Sequence, residues 1–225
     1  MSQTFSLVDS LSLGDLQVFL GRAARVEDGS VRLIAGSGVL AVYVAVLHPS
    51  GLLDESPTVL GLRTFALTTR DSFDVVVPIR SLVERLVRLQ SEVVDPTAAV
   101  TVTLPMQVNT VTWTAISPPR GGWTRLEEVD GSLLETVAAA GIAEVAEAIP
   151  TGTGEQIVQR VRSEVWGRPI AGLEYVPAGA AFAAVSLGFL GGGDAVRLFE
   201  TGPWTRLTSQ RGHVLVKRRA WSLRR

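Results

Sequence analysis

The sequence predicts an α+β fold with mostly antiparallel sheet in two lobes and about four helices packed on the sheet. Three observations lead to this prediction. Short apolar stretches of strand length fill the first half of the chain. Apolar residues at helical spacing dominate after residue 118, and strands return at the C-terminal end. Strands, then helices, then strands again are typical of helices packed on an antiparallel sheet.

The first lobe, residues 1–118, is expected to be rich in strands with one helix. Val39–Leu47 is continuously apolar, which predicts a central strand buried on both faces. The helix is expected at 79–91, where apolar residues recur at helical spacing. Asp28-Gly29 is a hairpin signal. The other expected strands are 16–26, 30–35, 58–68, 73–77, 99–104 and 108–115.

The second lobe, residues 119–225, follows a Ser-Pro-Pro-Arg-Gly-Gly stretch that is typical of a loop. Two helices are expected after the capping patterns Ser132 with Glu135 and Thr153 with Gln156. A third helix is expected at 177–189. The lobe should end in a meander with strands at 195–200, 204–208 and 213–218. We expect the two lobes to form one compact unit, with two separate domains as the alternative.

Composition limits the possible chemistry and location. The 225 residues include no cysteine, which excludes disulfides, thiolate metal sites and thiol nucleophiles. The chain is 46% hydrophobic and 19% charged, as ordinary globular proteins are. Neither a signal peptide pattern nor an apolar run near the ~20 residues of a membrane span is present. We therefore expect a cytoplasmic protein that does not bind membranes.

No catalytic, cofactor-binding or metal-ligating residue is predicted. Gly36-Ser37-Gly38 precedes a strand, whereas the dinucleotide fingerprint requires a helix there. The glycine-containing stretch at 151–155 lacks the lysine of a P-loop. His48 and His213 show no metal-ligand spacing. An enzyme whose small-molecule pocket leaves no motif stays open as an alternative.

A short internal repeat involves two tryptophans. Residues 121–126 and 202–207 each contain a glycine and then Trp-Thr-Arg-Leu. The structural interpretation is two equivalent strand entries in which Trp123 and Trp204 fill the core. The functional interpretation is a pair of related surface patches that place tryptophan beside arginine. We assign the tryptophans at 113 and 166 to packing.

Charge is distributed unevenly along the chain. The last 25 residues carry seven basic side chains and no acid, whereas seven acids and no base lie between Arg125 and Arg160. A solvated basic end explains this pattern without any function. A basic tail that docks on an acidic surface, through Trp221 and Leu223 as apolar anchors, explains it as an interaction site.

The sequence therefore predicts a non-enzymatic interaction or regulatory protein that self-associates. Its partner would be a second copy, giving a homo-oligomer, or an acidic protein. The alternative is nucleic-acid binding through the basic tail, which the net charge of −1 and the pI near 6.2 disfavour. The predicted interaction residues are Lys217, Arg218, Arg219, Trp221, Arg224 and Arg225, with Trp123 and Trp204 as supporting residues.

Overall fold

The computed structural model describes residues 3–49, 51, 54–150 and 152–218. These residues form an α+β fold with antiparallel sheet and five α-helices, which confirms the predicted fold class. The chain divides into two compact units. The N-terminal unit comprises Met1–Ala45 and Leu62–Ile116, and the C-terminal unit comprises Val46–Gly61 and Ser117–Arg225. The lobe boundary at residue 118 stays a prediction.

In the N-terminal unit the strands are ordered β5-β2-β3-β4, and β1 pairs with β6 in a small second sheet. The turn between β2 and β3 places Ser37 and Gly38 at φ 54° and 81°, as a two-residue hairpin turn requires. The elements are β1 Thr4–Leu7, α1 Ser10–Val26, β2 Ser30–Gly36, β3 Val39–Leu47, β4 Thr58–Ala66, β5 Phe73–Pro78, α2 Ile79–Glu92, β6 Val100–Thr103 and a 3₁₀ helix, Thr112–Ala115.

Two strand predictions in this unit are wrong. The range 16–26 belongs to helix α1, because Leu13, Leu16 and Leu20 lie at helical spacing and are all buried. Asp9 caps this helix by accepting a hydrogen bond from the Ser12 amide at 2.7 Å. Asp28-Gly29 consequently joins a helix to β2 and forms no hairpin. The range 108–115 contains the 3₁₀ turn instead of a strand.

The C-terminal unit confirms the predicted meander, with strands ordered β12-β11-β10-β7. Its helix starts differ from the capping patterns: Asp130 caps α3 through the Ser132 amide, and Gly154 precedes α4. Thr153 donates its hydroxyl to the Pro150 carbonyl instead. The elements are β7 Thr124–Asp130, α3 Gly131–Ala148, α4 Glu155–Gly167, β8 Pro169–Ile170, β9 Leu173–Pro177, α5 Ala178–Ser186, β10 Ala195–Thr201, β11 Trp204–Thr208 and β12 His213–Lys217.

The helices of this unit pack closely around Trp166 of α4. The indole is 3% exposed and stacks on Phe182 of α5, with ring centroids 4.3 Å apart. A Cβ atom at Gly179 would lie 3.0 Å from the Trp166 carbonyl oxygen, and one at Gly141 would lie 2.6 Å from Trp166 Cη2. Gly141 therefore lets α3 approach the indole ring, and Gly179 lets α5 approach the backbone of Trp166.

Replacement of Gly141 tests this packing. We expect Gly141→Ala to lower the free energy of unfolding by about 1–3 kcal/mol, because the stacked indole cannot move away from the added methyl group. Chemical denaturation measures the change. Gly21→Ala in α1 is the matched control: its Cβ would meet no atom within 4 Å, so we expect it to stabilise the protein by about 0.5–1 kcal/mol. Equal effects of the two variants would contradict the packing argument.

Candidate interaction surface of the C-terminal unit

The described part of the basic tail lies beside the turn between β10 and β11. Lys217 ends β12 and is partly exposed. Arg218 donates through Nη2 to the Gly202 carbonyl at 3.0 Å and to Glu200 Oε2 at 3.4 Å. Its backbone amide also donates to the Pro203 carbonyl. The predicted interaction residues Arg219, Trp221, Arg224 and Arg225 lie outside the described residues.

The two repeated tryptophans occupy different environments. Trp204 starts β11 and is 4% exposed, as the core-filling interpretation expects. Its ring is covered, so it offers no surface to a partner in the described arrangement. Trp123 directly precedes β7 and is only partly buried, and its indole nitrogen donates to the Pro119 carbonyl at 3.1 Å. Of the two, Trp123 is the one whose side chain reaches the surface.

The two copies of Trp-Thr-Arg-Leu meet at Arg206. The Arg206 guanidinium carbon lies 4.5 Å from the ring centroid of Trp123 and 4.5 Å from that of Phe199. Phe199 is the direct cross-strand neighbour of Arg206 in the β10–β11 register. Tryptophan from the first copy thus stacks on arginine from the second. Each cation–π contact of this kind contributes about 0.5–2 kcal/mol, depending on desolvation, and fixes the guanidinium in place.

Further basic side chains surround this arginine. Arg197, Thr208 and His213 are cross-strand neighbours on β10, β11 and β12, in the row next to Arg206. His213 Nδ1 lies 3.1 Å from the Thr208 hydroxyl. Glu128 is opposite Arg197 in the β7–β10 register, but its carboxylate accepts from Arg125 Nη2 at 2.8 Å. We call the group Trp123, Arg197, Phe199, Arg206 and His213 the Arg206 cluster.

The Arg206 cluster holds positive charge without a compensating acid. Within the described part of the chain, neither Arg197 nor Arg206 forms an ion pair. Burial, followed by the charge of Arg197, lowers the pKa of Arg206. Burial, followed by the charges of Arg206 and Arg197, lowers the pKa of His213 to about 4. The imidazole is therefore neutral near pH 7, and the two guanidinium groups carry the charge.

A groove of about 1150 Å³ lies elsewhere in the same unit, between residues 54–57, the end of α4, β9 and the β10–β11 turn. Arg168 on its rim binds Glu144 at 2.7 Å and Glu164 at 3.0 Å. The Tyr175 hydroxyl donates to the Glu127 carboxylate. Burial, and then the Glu127 contact, raise the pKa of Tyr175 above its ordinary value. The phenol is thus a neutral hydrogen-bond donor and not a nucleophile.

Strand β7 presents an open edge. It lies at the end of the strand order and forms a ladder only with β10 among the residues described. Leu133 of α3, three residues after the strand, is 38% exposed. The edge of the N-terminal unit differs, because the Val76 carbonyl of β5 accepts a hydrogen bond from the Val108 amide at 2.9 Å. Unpaired edges are templates for adding another strand.

Two classes of feature are not found in the described part of the chain. No group of three or more histidine, aspartate or glutamate residues there could hold a metal ion. No helix there is long and apolar enough to cross a membrane. The cytoplasmic location and the lack of a cofactor stay predictions.

The titration of Tyr175 tests the contact with Glu127. A tyrosine with a raised pKa stabilises the fold below its unfolded value near 10.0, and this stabilisation is lost as the pH rises through the folded value. We expect phenolate absorbance from Tyr175 to appear only above pH 10 in the folded protein. The Tyr43→Phe variant isolates this signal because the chain has two tyrosines. A Tyr175 midpoint at or below 10 would contradict the geometry.

The titration of His213 tests the charge of the Arg206 cluster. Because its folded pKa is about 4 and its ordinary value is 6.5, the unfolded chain binds the proton more readily. This group therefore contributes stability above pH 6.5 that is lost as the pH falls towards 4. We expect Arg197→Gln to raise the His213 midpoint, measured from the imidazole NMR signals. The His48→Gln variant removes one of the two histidine signals and so assigns the other to His213. A His213 midpoint near 6.5 in the unaltered protein would rule out the charged cluster.

Two different protein families match the first and second halves of the sequence. A family described as Domain of unknown function (DUF8010) matches residues 1–106, and one described as Domain of unknown function (DUF8185) matches residues 118–221. No curated protein matches the sequence.

Solved structures with a similar fold include a DNA polymerase sliding clamp and DNA polymerase III beta subunits from bacteria. The DNA polymerase sliding clamp from Caulobacter crescentus matches with a TM-score of 0.50 and 14% identity over 99% of this chain and 67% of the clamp. A putative DNA polymerase III beta subunit from Eubacterium rectale matches with a TM-score of 0.52 and 8% identity over 97% of this chain and 65% of that subunit. The beta subunit from Borrelia burgdorferi matches with a TM-score of 0.52 and 7% identity over 99% of this chain and 66% of that subunit. The chain thus has a fold similar to about two thirds of a sliding clamp.

Proposed function

We propose that this chain is a non-enzymatic, self-associating interaction protein built on a sliding-clamp-like fold, and that its copies join through the β7 edge. The observation that carries the proposal is this open edge at the end of the C-terminal sheet. The similarity to structures titled DNA polymerase sliding clamp and DNA polymerase III beta subunit supports the fold.

The β7 edge is suited to a specific contact. Arg125, Glu127 and Glu128 are exposed along the strand, and a register shift interrupts its ladder with β10 between Arg197 and Phe199. Charges and bulges prevent indiscriminate pairing of edge strands. A partner strand with complementary charges satisfies the remaining backbone groups and covers Leu133. Such selectivity is what a defined oligomer needs.

A substitution beside the edge tests self-association. We expect the unaltered protein to form a concentration-dependent oligomer in light scattering and native mass spectrometry. Leu133→Glu should raise the dissociation constant of the oligomer at least tenfold, about 1.4 kcal/mol, because it places a charge against the partner. Ile157→Glu is the matched control, since Ile157 is an exposed apolar residue of a different helix, α4.

Three outcomes separate the possibilities. Loss of the oligomer in Leu133→Glu alone supports the β7 edge. Equal behaviour of the two variants moves the interface elsewhere. A monomer at every concentration overturns self-association.

The second candidate function is nucleic-acid binding. Similarity to a structure titled DNA polymerase sliding clamp favours it, and so does the position of the partly exposed Lys217 and Arg218 beside the turn between β10 and β11. The acidic stretch 127–155 opposes it. Binding of a DNA probe whose affinity falls steeply with salt would support this function, and its loss in Lys217→Gln would assign it to the tail.

A further inference from the structure

We propose that the Arg206 cluster is a binding site for a carboxylate group on an acidic peptide segment of a partner protein. Arg206 would bind the carboxylate through the edge of its guanidinium plane, and Arg197 would contribute a second guanidinium group. The proposal rests on the interaction role above for its class of partner, but it does not require self-association.

The cation–π sandwich determines how Arg206 can be used. Trp123 and Phe199 each lie 4.5 Å from the guanidinium carbon, so the aromatic rings take up the faces of the plane. Hydrogen-bond donors of a guanidinium lie in that plane. The plane's edge is therefore the direction left for a ligand, and a planar carboxylate matches its paired donors.

The aromatic rings already hold Arg206 in place. Its Nε atom is buried and has no hydrogen-bond partner among the described residues, so a carboxylate would bind the two Nη groups instead. Because the rings already restrict the side chain, little additional conformational entropy is lost on binding.

The surrounding charges favour one carboxylate. Arg197 repels the Arg206 charge, and neither arginine has an acidic partner in the part of the chain that the structure describes. An acid placed between them relieves this repulsion. His213 carries no charge near pH 7, so the local excess is two positive charges.

The same surface disfavours a polyanion. Strand β7, next to β10, places Glu128 opposite Arg197 and Asp130 opposite Ala195, and both acids are exposed. A nucleic-acid backbone needs a continuous basic surface and would meet these acids within one or two strands. An acidic side chain of a peptide needs only the gap between Arg197 and Arg206.

The experiment uses the full chain and two peptides. The first is a short peptide with one glutamate among uncharged residues, and the second has that glutamate replaced by glutamine. The readout is the NMR signal of each arginine Nε–H group and of the Trp123 indole. We expect the glutamate peptide to shift the signals of Arg206, Arg197 and Trp123 in a saturable manner, and the glutamine peptide to leave them unchanged.

Variants separate this site from general charge attraction. Arg206→Lys keeps the charge but loses the planar fork, so we expect at least tenfold weaker binding. Arg197→Gln should weaken binding similarly, and because Arg197 is exposed this variant should keep the fold. Arg160→Gln on α4, also exposed, removes the same charge elsewhere and should bind as the unaltered protein does.

The opposite results would overturn the proposal. It fails if both peptides shift the signals equally, or if Arg160→Gln and Arg197→Gln lose peptide binding equally. It also fails if the protein binds oligothymidylate but not the glutamate peptide. Light scattering of Arg197→Gln tests self-association separately from peptide binding. An unchanged oligomer that no longer binds the peptide supports two separate surfaces.

Discussion

The two-residue period of strand β10, which β12 does not share, organises the sheet of the C-terminal unit. One face of β10 places Val196 and Leu198 in the core, each at most 1% exposed. Alternate residues must then point to the opposite face, and they include Arg197 and Phe199, which pairs with Arg206 of β11. The register that buries the core thus also brings Phe199 against Arg206. A shift of one residue would bury arginine and expose valine, so core and surface constrain each other.

The start of β7 completes this arrangement from the other side. A register shift separates the pair Phe199 with Arg125 from the pair Arg197 with Glu128. Between these pairs, Leu126 and Glu127 stand opposite Leu198 alone, so Arg125 and Glu128 reach the same face of the strand and form an ion pair. That pairing occupies the carboxylate facing Arg197. The irregular edge strand therefore explains why Arg197 lacks an acidic partner.

Sequence patterns predicted the elements whose burial is regular. Helix α2, with Leu82 and Leu86 at helical spacing, and the C-terminal meander could be located from periodicity alone. Helix α1 was missed because its apolar residues were interpreted as a strand beside Asp28-Gly29, whereas the spacing of Leu13 and Leu16 already fitted a helix. The prediction that Val39–Leu47 is buried on both faces is wrong for the first half of β3, where Val39, Ala41 and Tyr43 are exposed or partly exposed.

The candidate site was harder to predict than the fold. The repeated Trp-Thr-Arg-Leu was visible in the sequence, but not that Trp123 of one copy would stack on Arg206 of the other, because strand order and register decide that contact. Strand β7 was missed since Arg125, Glu127 and Glu128 hide the apolar alternation of an edge strand.

The two proposed surfaces of the C-terminal unit use different directions of the same sheet. Backbone hydrogen bonds lie within the plane of a sheet, so a strand added to β7 extends the sheet sideways. Side chains such as Arg197 and Arg206 project from the face, perpendicular to that plane. A partner strand at the edge and a carboxylate at the face therefore meet different atoms. The two proposed contacts therefore do not exclude each other on one copy of the chain.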